Sequence, residues 1–94
     1  MQNLPEGLIL QSRTPDFDQH SIPKGIQGLH TTAEGIWGKI VISEGSLTYR
    51  IFEPELEQRI LNEDRYGVVA PQAAHQVELK GPVKFHIEFY REAA

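Results

Sequence analysis

Cysteine is absent from the 94-residue chain. That excludes disulfides, thiolate metal sites, iron–sulfur clusters and a cysteine nucleophile together, so any metal must be held by nitrogen and oxygen. Basic clusters are missing as well. Nine lysines and arginines are scattered among thirteen acidic residues, for a formal net charge of −4, which argues against nucleic acid or an anionic membrane as a partner. Nowhere do about 18 apolar residues follow one another, the length that a membrane-spanning helix needs. Met1 to Gln11 offers no positive n-region, no long apolar run and no small-residue cleavage site, so the expectation is a cytoplasmic protein.

What is present reads as short strands. A chain of this length supports one domain and buries roughly 60 to 70 % of its unfolded surface. Leu4-Pro5-Glu6-Gly7-Leu8-Ile9-Leu10 suits an extended arm that adds a strand to a sheet. Arg13 to Gly25, broken by Pro15 and Pro23, reads as a loop or a sheet edge. Ile36 to Ile42 and Ser46 to Phe52 are β-rich runs on either side of Glu44-Gly45, and that spacing predicts a hairpin. Pro54 to Asp64, with Leu56, Ile60 and Leu61, reads as an excursion with room for one helical turn. Val68 to Pro71 and Gln76 to Leu79 are further strands. Val83 to Tyr90 alternates strictly: Val83, Phe85, Ile87 and Phe89 fall on one side, Lys84, His86, Glu88 and Tyr90 on the other. Such a pattern, without a long amphipathic helix, predicts an all-β sandwich or barrel. The arm and loop occupy residues 1–25 and the body residues 26–92 of a single domain.

The chemistry-bearing residues are mostly histidines. His20 lies in the proline-rich loop among polar neighbours and reads as solvent-exposed. His30 precedes the β-rich runs, His75 stands at a turn between two strands, and His86 lies in the last strand with Glu88 two residues on. Residues two apart on a strand share a face about 7 Å apart, so His86 and Glu88 could share a metal or form a His–Glu couple. Imidazoles with a carboxylate suit zinc, iron, nickel or manganese. Trp37 and Tyr49 read as core or dimer-interface aromatics, or else as ligand contacts. Arg50, between Tyr49 and Ile51, reads as a paired or anion-binding cation.

The order of these pieces resembles a known family. A glycine-bearing approach to His30, the Glu44-Gly45 turn, and Pro71-x-x-x-His75 leading into a strand resemble a degenerate pair of cupin motifs. Leu4 to Leu8, Arg13 to Phe17, Ile22 to Gly25, His30-Thr31-Thr32, Gly35 to Ile40, Glu44 to Leu47, Gly67 to Pro71 with His75 to Glu78, and Gly81 to Tyr90 together resemble the TehB/YeaR-like cupin family. These are small bacterial domains found alone or at the N-terminus of tellurite-resistance methyltransferases.

The resemblance implies a cupin-type double-stranded β-helix, or jelly-roll barrel, with a divalent transition metal, zinc foremost and iron, nickel or manganese as alternatives. It makes His30 the first-motif and His75 the second-motif ligand. The chain departs from the motif at two points: Thr32 stands where a second histidine is usual and Gly38 where a glutamate is usual. Glu88, or else His86, is then expected to complete the site, with Trp37, Tyr49 and Arg50 shaping a ligand pocket. The implied function is binding of a small anionic or oxyanion ligand linked to tellurite resistance or oxyanion stress. A small metal-dependent oxygenase or isomerase, or a structural dimerisation or accessory module, are the alternatives. With no glycine-rich nucleotide fingerprint and too few residues for an α/β sheet, the chain is not itself a methyltransferase. Uncovered strand edges on so small a domain lead to the expectation of a homodimer.

Overall fold

The last strand organises the domain. A computed structural model describes residues 1–27, 31–53 and 55–93. In it, β8 (Val83–Arg91) buries Val83, Phe85 and Ile87 and turns Lys84 to solvent, as its alternation requires. β8 pairs antiparallel with β3 (Ile36–Gly45), from Ile36 opposite Arg91 to Gly45 opposite Val83. On the other edge of β8 run β1 (Ile9–Arg13) and the two-residue β2 (Phe17–Asp18). Thr14 ties the gap between them: its N–H donates to the Ile87 carbonyl at 2.9 Å and its Oγ1 accepts from the Ile87 N–H at 3.0 Å. β6 (Gly67–Val69) pairs with the far side of β3 and completes a five-stranded sheet. Within the matching arm, pairing starts at Ile9 rather than at Leu4.

The second sheet is three-stranded, with β4 (Leu47–Ile51) between β5 (Glu57–Leu61) and β7 (His75–Glu78). Its inner face supplies Leu47, Tyr49, Ile51, Leu61 and Val77, which pack against Ile40, Ile42, Val69, Val83, Phe85 and Ile87 of the first sheet. The Tyr49 hydroxyl crosses between sheets and donates to the Val68 carbonyl at 2.9 Å, so a buried phenol is satisfied. Burial pushes the Tyr49 pKa up, with the charge of Glu57 adding to the shift. A single helical turn, α1 (Lys24–Gln27), lies near β7. No helix among the described residues is long and apolar enough to cross a membrane.

The domain is therefore all-β with antiparallel sheets, as the alternation implied, but among the described strands no ladder joins the two sheets into a closed barrel. The hairpin expected at Glu44-Gly45 is corrected too. Both strands exist, yet β3 pairs with β6 and β8 while β4 pairs with β5 and β7. Gly45 marks a corner where the chain changes sheets, as strands do at bends of orthogonal sandwiches. Its φ is +75°, and a Cβ there would overlap the Pro82 carbonyl oxygen, so only glycine fits. The third difference is β5, a strand where the sequence suggested an excursion. It is an edge strand whose Ile60 is 53 % exposed, so its apolar residues do not all fall on one face and the period-two signal is lost.

Candidate functional site

Between the two sheets, the side chains leave a pocket of about 230 Å³. Ile36, Ile40, Val69, Val77, Ile87 and Phe89 supply most of its wall, with Thr31, Thr32, Ala33 and Gly38 also lining it and His75 as the one ionisable residue among the described lining. Interiors are usually close-packed, so an apolar concavity of this size with one imidazole is a candidate ligand site.

Local geometry fixes His75. The Ala70-Pro71-Gln72-Ala73 turn closes through Ala73 N–H to the Ala70 carbonyl at 3.3 Å, with Gln72 at φ +61°. A proline followed by a positive φ is what a type II turn requires, and a non-glycine residue there stores strain. Thr32 pins this turn from across the fold: its Oγ1 accepts from the Gln72 N–H at 3.3 Å and donates to the Ile36 carbonyl at 3.0 Å. Two residues on, His75 is 3 % exposed, and its Nδ1 lies 2.9 Å from the Ala73 carbonyl oxygen. A carbonyl can only accept, so Nδ1 donates this hydrogen bond. The ring also packs edge-on to Tyr49, centroids 6.1 Å apart.

Both departures from the expected motif, Thr32 and Gly38, fall in this same lining. Thr32 spends its hydroxyl on backbone groups. Gly38 has its Cα against Val69, where a Cβ would come within 3.1 Å of the Val69 Cβ. Thr32 is thus a structural tie, and Gly38 lets β3 lie close against Val69.

The other expected site residues lie elsewhere. His30 is outside the described residues. His86 and Glu88 are not among the described residues that line the pocket beside His75. Ile87 and Phe89 line the pocket, and strand alternation sends their neighbours to the opposite face of the sheet. There the pair forms its own network: His86 Nε2 lies 2.8 Å from Glu88 Oε2, the Tyr90 hydroxyl donates to Glu88 Oε1 at 2.6 Å, and Asp16 Oδ1 is 3.8 Å from His86 Nδ1. The hydrogen bond from His86, then that from Tyr90, holds the Glu88 carboxyl below its ordinary pKa, and the same contact pushes Tyr90 up to about 12.

Arg50 points away from the core and is paired, to Glu78 by an ion pair and to the Gln58 side chain at 2.9 Å. Tyr49 is a core residue. Trp37, opposite Tyr90 in the ladder, is half-buried on the outer face, with its indole N–H 3.5 Å from Glu92 Oε1. None of these three lines the pocket, because each neighbours an inward residue or serves the core itself.

Tetrahedral zinc needs at least three protein ligands. Among the described residues no three histidine, aspartate or glutamate side chains come together to hold an ion. The pocket's apolar lining could have been found by extending the alternation of Val83, Phe85, Ile87 and Phe89, which already sorted His86 and Glu88 to the other side.

The comparisons with known proteins follow the fold. The family model described as TehB-like domain matches residues 12–87. A crystal structure of a protein from Escherichia coli strain K12 superposes with a TM-score of 0.88 over 100% of both chains at 19% identity. The crystal structure of TehB from Haemophilus influenzae gives a TM-score of 0.84 at 25% identity, over 93% of this chain and 32% of that one. This chain thus spans about a third of that TehB. No curated protein gives a sequence match.

Proposed function

The chain belongs to the TehB-like domain family, and we propose that it is a small-ligand-binding module, associated through its family with tellurite resistance, whose ligand sits between the sheets against His75. On this reading the domain is cupin-like in architecture but uses the cupin interior for an organic molecule.

The observation that carries this reading is the composition of the pocket: about 230 Å³ walled by aliphatic and aromatic carbon, with one oriented imidazole. An apolar cavity of ~150 Å³ holds benzene, so a compact organic molecule somewhat larger than benzene has room here. A bare oxyanion would lose its hydration against aliphatic walls with too few donors to replace it. The favoured ligand has an apolar body and a single acidic or otherwise polar head. His75 is the ionisable side chain that such a head meets in the described lining.

Calorimetric titration with benzoate, tellurite and zinc in parallel tests the reading. Benzoate should bind, and His75→Gln, which alters the wall that the ligand meets, should weaken it. Stoichiometric zinc binding that His75→Gln abolishes, with no benzoate binding, would replace this reading with a metal centre.

A further inference from the structure

A second concavity, of about 330 Å³, lies away from the pocket, where the turn after β5 leads into β6. We propose that it binds a small anion bearing two or more oxygens, a carboxylate or an inorganic oxyanion, between the guanidinium groups of Arg59 and Arg65 beside the ring of Tyr66. Its wall differs in kind from that of the pocket: Gln2, Asn3, Arg59, Asp64, Arg65 and Tyr66 all contribute.

The turn presents Arg65 in a fixed place. Asn62 and Arg65 pair through both backbone bonds, Asn62 N–H to the Arg65 carbonyl at 3.3 Å and Arg65 N–H to the Asn62 carbonyl at 3.1 Å. The Asn62 side chain accepts from the Asp64 N–H at 2.9 Å, an Asx-type closure that leaves the turn little freedom. Beyond that turn, the Arg65 side chain has no hydrogen bond or ion pair with any described residue.

Arg59 is held but not exhausted. One terminal nitrogen donates to the Gln58 carbonyl at 3.0 Å and the other to Glu57 Oε1 at 3.1 Å. Glu57 is shared with the amino group of Met1 at 2.6 Å. A guanidinium has five N–H donors, so about three remain after these two bonds. Lys39 Nζ sits 4.6 Å from the centroid of the Tyr66 ring and adds a third cation beside the cleft. In a chain of net charge −4 this concentration of cations is uneven, and Asp64 is the one carboxylate in the lining. Planar guanidinium forks match oxyanions and carboxylates two atoms at a time.

The test is a titration of the full ¹⁵N-labelled chain with phosphate, tellurite or acetate, against chloride at constant ionic strength. Saturable shifts at the Asp64, Arg65 and Tyr66 amides are expected. Arg65→Gln should weaken them at least tenfold and Arg65→Lys by less, since a point charge replaces a fork. The three anions tell an inorganic oxyanion from an organic carboxylate. Chloride reproducing the shifts, or Arg65→Gln titrating like the unmodified chain, would overturn the proposal. Arg65 is exposed, so the variant folds and either outcome is decisive. Shifts confined to Val77 and Ile87 would also overturn it while supporting the pocket between the sheets, so the two sites fail separately.

Discussion

The pocket between the sheets and the cleft at their edge divide the labour of recognition. Strand alternation makes the first: Ile40, Val69, Val77 and Ile87 all point inward, and one imidazole is what the turn before β7 adds. Loop chemistry makes the second, where a tight Asn62–Arg65 turn and the end of β5 set two guanidiniums beside an aromatic ring. The lesson is physical. The facing strands of a two-sheet sandwich line its interior mostly with carbon, and its loops carry most of the charge.

The comparison is broken most completely at Gly45. Gly45→Ala should cost about 3 kcal/mol or more, since left-handed backbone alone costs roughly 1–3 kcal/mol for an alanine and the Pro82 carbonyl stands in the way. Chemical denaturation should show a lower midpoint with an unchanged slope. Both regions should suffer together, because the corner at Gly45 sets one sheet over the other.

A smaller, one-sided effect is expected at Thr32. Thr32→Val removes the tie to the Gln72 N–H and the Ile36 carbonyl and should cost roughly 1–2 kcal/mol. It should weaken benzoate binding in the pocket while leaving anion shifts at Arg65 alone, as paired titrations of one variant would register.

The smallest effect concerns neither region and serves as a control. The depressed pKa of Glu88 means that the folded chain binds this proton less readily than the unfolded one. Its contribution is present above the ordinary glutamate pKa and is lost as pH falls through the lower folded value. Thermal unfolding followed from neutral pH to below about pH 4 should therefore decline less steeply in Glu88→Gln. Equal slopes would show that the His86–Glu88–Tyr90 network is energetically silent. At the alkaline end the sign reverses. Tyr90, raised to about 12, contributes stability that fades as pH climbs from its ordinary value near 10 toward that value.

Much of the scaffold was legible in the sequence because alternation is a local property. β8, β4, β6 and β7 follow from it nearly residue by residue. Pairing is not local, which is why Glu44-Gly45 suggested a hairpin: a glycine with positive φ serves a hairpin and a sheet-changing corner equally well. β5 escaped notice because Leu56 and Ile60 are exposed at 69 % and 53 %, so its apolar spacing reports no buried face.

At the candidate site, Pro71-x-x-x-His75 pointed to a histidine that lines the pocket, since proline marks the turn that orients it. The grouping of His86 and Glu88 with it came from motif expectation, against the alternation of the same strand. The arginine cleft left no signal in sequence, because Arg59 lies in β5 and Arg65 beyond the Asn62 turn, and only the fold brings both to one concavity.

The claim on which the account turns is that the space between the sheets receives an organic ligand, and plugging its mouth tests it most directly. Ala33 is exposed and lines that pocket, so Ala33→Trp fills the entrance without disturbing the core. Titrating ¹⁵N-labelled chain with benzoate should move the Val69, Val77 and Ile87 amides saturably in the unmodified protein and leave them still in the variant. Amides that never move, or that move equally in both, would contradict it.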